Sequence, residues 1–84
     1  MDNSDFRQWL TSNTIYTKRV ISNIVCRLNR ADRIHSVYPD EMYLFELEHE
    51  DEFAKLSVAV KSQIRKAVKL YLQFKKSEEE RREF

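Results

Sequence analysis

Glycine is absent from all 84 residues, and Pro39 is the single proline. Tight hairpins, left-handed helix caps and phosphate-cradling loops all draw on glycine, because a residue without a Cβ reaches positive φ without a clash. A chain lacking it is expected to be helical, and nucleotide-binding loops of the Gly-rich kinds are excluded. With 42% hydrophobic and 35% charged residues the sequence has material for a core, unlike a disordered segment of low hydrophobicity and high net charge. At this length one domain is expected, burying about 60% of the surface its unfolded form exposes and leaving no room for a deep catalytic cleft. The fold class expected is all-α, a compact bundle of four to five helices over residues 1–76, followed by a charged tail, 77–84, that extends the last helix or frays from it.

Helical periodicity divides the chain. Asn3 or Ser4 caps a first short helix carrying Phe6, Trp9 and Leu10, which Ser12, Asn13 and Thr14 then break. From about Thr17 to Ala31, Val20, Ile21, Ile24, Val25, Leu28 and Ala31 form one apolar stripe, with Arg19, Asn23, Cys26, Arg27 and Arg30 on another side. Ile34 to Pro39 reads as a connection, since the residue before proline is biased out of the helical region. Asp40 and Glu41 then open a third helix, to which Met42, Leu44, Phe45 and Leu47 contribute apolar contacts. His49 to Glu52 is a polar break or a short turn, Phe53 and Leu56 anchor the linker, and Ser57 is the expected N-cap of the last long helix.

That last helix carries the strongest charge signal. Between Ser57 and Lys76 lie six Lys and Arg residues and no acid. Val60, Ile64, Ala67, Val68, Tyr71 and Phe74 share one side of the helix, with Lys61, Arg65, Lys66, Lys69 and Lys76 broadly opposite. Solvated helix faces usually mix Lys with Glu, because like charges one turn apart repel by a few tenths of a kcal/mol. The face therefore suits phosphates or an acidic protein, although a merely soluble Lys-rich surface has the same composition. Glu41 to Glu52 is the counterpart, with six acids and no cation, while the net charge of the whole chain is +1.

Catalytic and cofactor chemistry finds no foothold in the sequence, and neither an enzyme nor a small-molecule site is expected. No nucleophile stands beside a base, and His35 and His49 lack a Zn-ligand spacing. Cys26 has no second cysteine to pair with and no activating neighbour. Tyr16, Tyr38, Tyr43 and Tyr71 are read as structural, Tyr43 lying among acids and Tyr71 on the core stripe. No apolar run approaches the roughly 18 residues of a membrane span, and Met1 to Leu10 lacks the pattern of a signal peptide, so the default compartment is the cytoplasm. A basic amphipathic helix can lie on anionic lipid, yet this apolar face is needed to close a small core.

Phe6 to Leu10, then Thr14-Ile15-Tyr16-Thr17 opening a helix with Val20, Ile21, Ile24 and Leu28, and later Leu56-Ser57 with Lys61, Arg65, Lys69, Tyr71, Leu72 and Phe74, form a pattern similar to a known domain. It resembles the core-binding domain of tyrosine recombinases, or phage integrases. The resemblance covers about Asp5 to Lys76 and implies a SAM-like bundle of four or five helices that clamps one side of duplex DNA, while a separate domain carries the Arg, His and Tyr that cleave and recombine the strands. No residue of this chain matches that catalytic set, so the resemblance implies a DNA-holding module, a truncated integrase or a standalone relative. Carried over by position, Thr17, Lys18 and Arg19 at the start of the second helix, with Lys61, Ser62, Arg65, Lys66 and Lys69, would meet phosphates or groove edges. Asn23, Arg27, Gln63 and Arg65 have the geometry for bidentate base contacts.

A second reading, from a different class, is a protein-interaction or dimerisation domain. In it the cationic helix meets an acidic partner or the acidic segment of another copy, with Leu72, which falls between Lys61 and Arg65 on the charged side, at the centre. The two readings differ in geometry. DNA binding needs Arg19 or Arg27 on the same surface as Arg65 and Lys69.

Overall fold

The computed structural model describes residues 3–82. Within them the chain forms α1 (Ser4–Asn13), α2 (Lys18–Ile34), α3 (Met42–Glu48), α4 (Asp51–Ala54) and α5 (Val58–Arg82). There is no strand among the described residues, and the protein is an all-α bundle. Hydroxyl caps set the starts of the two long helices, Ser57 as expected and Thr17 in addition. Thr17 Oγ1 accepts from the Val20 N–H at 3.3 Å, and Ser57 Oγ from the Val60 N–H at 3.2 Å, each satisfying a donor that the first helical turn leaves free.

At about 1.5 Å per residue the 25 residues of α5 span most of the 41 Å long dimension of the molecule. It packs chiefly against α2. Its buried stripe Ile64, Ala67, Val68, Tyr71 and Phe74 meets Ile21, Ile24, Val25, Leu28 and Ala31 of α2, and Phe6 and Leu10 of α1 close one side. An aromatic cluster joins α1 to α5: Phe6 packs edge-on to Tyr71 and tilted to Phe74, both at 5.6 Å between ring centres, and Trp9 lies 5.9 Å from Phe74. Tyr43, Leu47 and Phe53 bring α3 and α4 onto the remaining side.

Four sequence expectations are corrected. Asn3 does not cap α1 with its side chain; it is only 8% exposed and donates to Asn29 Oδ1 at 2.6 Å, tying α1 to α2. The first helix is not broken at Ser12 but runs to Asn13, because Asn13 donates to the Trp9 carbonyl and the Thr14 hydroxyl to that of Leu10. Val20 is 38% exposed, at the margin of the α2 stripe rather than within it. In α3, Met42 and Phe45 face outward, 55% and 57% exposed, and Tyr43 is completely buried. A hydrogen bond at 2.7 Å from the Tyr43 hydroxyl to the carbonyl of His35, the C-cap of α2, fixes that rotation of the helix. The expected tail, for its part, continues α5 without interruption from Ser77 to Arg82, and Lys75 pairs with Glu78 at 3.7 Å one turn on. Residues 83 and 84 of that tail lie outside the described residues.

Candidate nucleic-acid interface

The basic residues of α2 and α5 fall into two groups, according to whether the acidic segment reaches them. Along the seam between the two helices it does not. There Arg27 Nε donates to Gln63 Oε1 at 3.1 Å, and Lys66 Nζ sits 5.2 Å from the centre of the Tyr16 ring. The Arg27 contact is a neutral acceptor's grip on a guanidinium, which orients the group and leaves its charge uncompensated. The Tyr16 ring likewise holds the Lys66 ammonium by cation–π attraction without neutralising it. Ser62, Arg65, Lys66 and Lys69, with Leu70 and Gln73, border a shallow cleft of about 340 Å³ on the outer surface of α5.

At the head of α2, Lys18 and Arg19 are exposed in the first turn, and Asn23 is exposed one turn further on. The Thr17 Oγ1 accepts the capping bond, so what this end offers a phosphate is the Thr17 O–H, backbone N–H and the two cations. Ile15, just before Tyr16, is fully exposed. Lys61 is half-buried near the start of α5.

Arg65 belongs to the other group. Its guanidinium pairs with Glu48 of α3 and lies 5.6 Å over the Phe53 ring. A residue expected on the DNA surface beside Lys69 is thus engaged within the chain, by a carboxylate from the acid run Glu41 to Glu52. Among the described residues the ion pairs are Arg65–Glu48, Lys75–Glu78 and the contacts of His35 with Glu46 and Glu50; none involves Lys18, Arg19, Arg27, Lys61, Lys66 or Lys69. Gln63 and Tyr16 complete the seam, and neither stands out in the sequence as a partner for a cation. The sign opposition between residues 41–52 and 57–76 is the signal that foreshadows the Arg65–Glu48 pair.

A second polar cluster sits at the far end of α2. One His35 ring nitrogen lies 3.0 Å from Glu46 and the other 3.4 Å from Glu50, and the imidazole stacks on Tyr43 with 5.6 Å between ring centres. The Tyr38 hydroxyl is held protonated by Glu46, chiefly through hydrogen bonding, its pKa pushed up to about 12, and the same contact, then His35, holds the Glu46 carboxyl below its ordinary value. Burial raises the Tyr43 and Tyr71 hydroxyls. The cluster staples the connection 35–40 onto α3, and Asp32 Oδ1 secures it from α2 by accepting from the Val37 N–H at 2.9 Å.

Cys26 is exposed. Among the described residues no three or more His, Cys, Asp or Glu side chains are grouped to hold a metal ion, and no helix is long and apolar enough to cross a membrane. Comparison of the chain with models of known families, with curated proteins and with solved structures finds no match.

Proposed function

We propose that the protein is a small helical DNA-binding module that holds duplex DNA along the α2–α5 seam, without strand-cleaving chemistry of its own. The observation that carries this reading is the pair of contacts Arg27–Gln63 and Lys66–Tyr16, which draw cations of both helices to one surface that no carboxylate among the described residues neutralises. Lys and Arg in such a setting release counterions when they meet phosphates. Arg27, Lys66 and Lys69 are the principal contacts, Lys18 and Arg19 extend them at the head of α2, and Arg65 stays with Glu48. The similarity to the core-binding domain of tyrosine recombinases supports the reading, with cleavage assigned to a separate domain or protein and the cytoplasm as the site of action.

Anisotropy of a labelled nonspecific duplex, titrated between about 50 and 200 mM salt, tests it. Binding should weaken steeply with salt, and replacing Lys66 and Lys69 together with Ala should flatten the log–log slope by about 0.9 for each phosphate that these side chains neutralise. Absence of binding at low salt overturns the proposal; an unchanged slope removes the two lysines from the interface.

A further inference from the structure

Thr14 to Thr17 connect α1 to α2, and Ile15 within them is the most exposed of the large hydrophobic side chains described, at 101%. An exposed apolar residue is ordinary by itself; what distinguishes Ile15 is how firmly its neighbours are held. The Thr14 hydroxyl and N–H both donate to the Leu10 carbonyl, at 2.6 and 3.1 Å, and the Tyr16 N–H donates to Thr14 Oγ1 at 3.3 Å. Tyr16 packs against the core, and Thr17 caps α2. Thr14 and Thr17 are extended, and along extended backbone successive side chains take opposite sides. With Thr14 and Tyr16 turned inward, Ile15 is thrust out. Lys18 and Arg19 follow it within four residues, and Lys66 stands 5.2 Å from the centre of the Tyr16 ring. None of these three belongs to an ion pair of the described residues. Ser12, Asn13, Thr14 and Tyr16 line the shallow surface around Ile15, with no acid among them; Asp5 and Glu78 line the next cleft, on the far side of Ser12 and Asn13.

We infer that Ile15 is an apolar prong that enters a groove of duplex DNA and packs against the bases, while Lys18, Arg19 and Lys66 hold neighbouring phosphates; the inference rests on the DNA-binding reading above. Charge and apolarity point to the same occupant. A duplex is anionic outside, and its base steps accept inserted isoleucine and similar side chains. A lipid surface also pairs negative charge with an apolar interior, but attachment there needs a broad apolar face, and the residues around Ile15 are polar or turned inward. On DNA the phosphates supply most of the affinity, so one apolar side chain adds to it usefully. The cost of ordering the prong is small, because β-branching restricts χ1 and the turn is already pinned.

Anisotropy of a labelled nonspecific duplex between about 50 and 200 mM salt, with Ile15→Ala and Ile15→Leu beside the parent, tests the inference. Ile15→Ala should weaken binding about tenfold at every salt concentration and leave the log–log slope unchanged, since an uncharged side chain releases no counterion. Ile15→Leu, which keeps the apolar bulk, should retain most of the affinity. Ile15 is fully exposed, so both variants should keep the circular dichroism and thermal midpoint of the parent. A parent that binds while Ile15→Ala binds equally well overturns the inference and leaves the proposed function standing; a parent that does not bind the duplex overturns both. A changed slope overturns the inference as well, because Ile15 would then act through the cations. Cosedimentation with phosphatidylserine–phosphatidylcholine vesicles covers the lipid alternative. Capture that is lost in Ile15→Ala, with duplex binding intact, would assign the prong to a membrane surface.

Discussion

Replacing Tyr43 with Phe removes one hydroxyl and leaves every apolar contact of the ring in place. That hydroxyl donates to the His35 carbonyl at 2.7 Å from a side chain with no exposed surface. The loss comprises one buried neutral hydrogen bond together with partial desolvation of the orphaned carbonyl, or about 1 kcal/mol. In a domain of this size a change of that order lowers Tm by about 4–8 °C. Urea unfolding followed by Trp9 fluorescence, which reports from α1, and by circular dichroism should give the same shift, because the bundle unfolds as one unit. Alkaline titration supplies a second readout. Burial raises the Tyr43 pKa, so the stability contributed by its neutral form is complete below the unfolded value of about 10 and is lost as pH rises through the folded one. In Tyr43→Phe the late step in tyrosinate absorbance should shrink. A variant as stable as the parent, with the late step intact, would refute the rotation of α3 that the hydroxyl sets.

Glu46 provides the acid counterpart. The Tyr38 hydroxyl, and after it His35, hold its folded pKa down; the stability this contributes is present above the unfolded value of about 4.3 and lost as pH falls through the folded value. Glu46→Gln should therefore flatten the acid limb of a circular dichroism titration, and an unaltered limb would remove Glu46 from the network. Glu48→Gln should cost less than about 1 kcal/mol, since both partners of the Arg65 pair remain about a third exposed. If DNA lies along α5, the same change frees Arg65 and steepens the salt dependence of binding by about 0.9; an equal or shallower slope would place Arg65 away from the DNA.

The long helices were legible because each repeats its apolar spacing over several turns. Ile21, Ile24, Leu28 and Ala31, and Ile64, Ala67, Val68, Tyr71 and Phe74, are buried as their periodicity requires. Ser57 could be read as a cap because a hydroxyl just before an apolar run has a local role. Helix α3 was misread for an equally physical reason. From Met42 to Leu47 every residue except Glu46 is apolar or aromatic, so two turns supply no contrast from which to choose a face. The choice falls to a hydrogen bond with His35, eight residues earlier and on another element. Asn3 occupies the N-cap position without a side-chain capping bond for a similar reason, since its side chain's partner Asn29 is 26 residues away. Of the candidate interface, the sequence could mark which residues are cationic. Which of them an acid would reach depended on where α3 docks, and the Glu48–Arg65 contact joins residues that no helical spacing relates.

The order of the helices, with α5 after α1 and α2, has a consequence for synthesis. Phe6 and Leu10 and the whole apolar stripe of α2 are covered by residues between Ile64 and Phe74. A ribosome adding about 5–20 residues per second needs about 1–5 s to make the 25 residues of this helix. Until those residues emerge, the apolar faces of α1 and α2 lack the side chains that cover them in the folded protein. A synonymous codon change that slows translation within α5 should therefore alter the yield of native protein without altering a single residue.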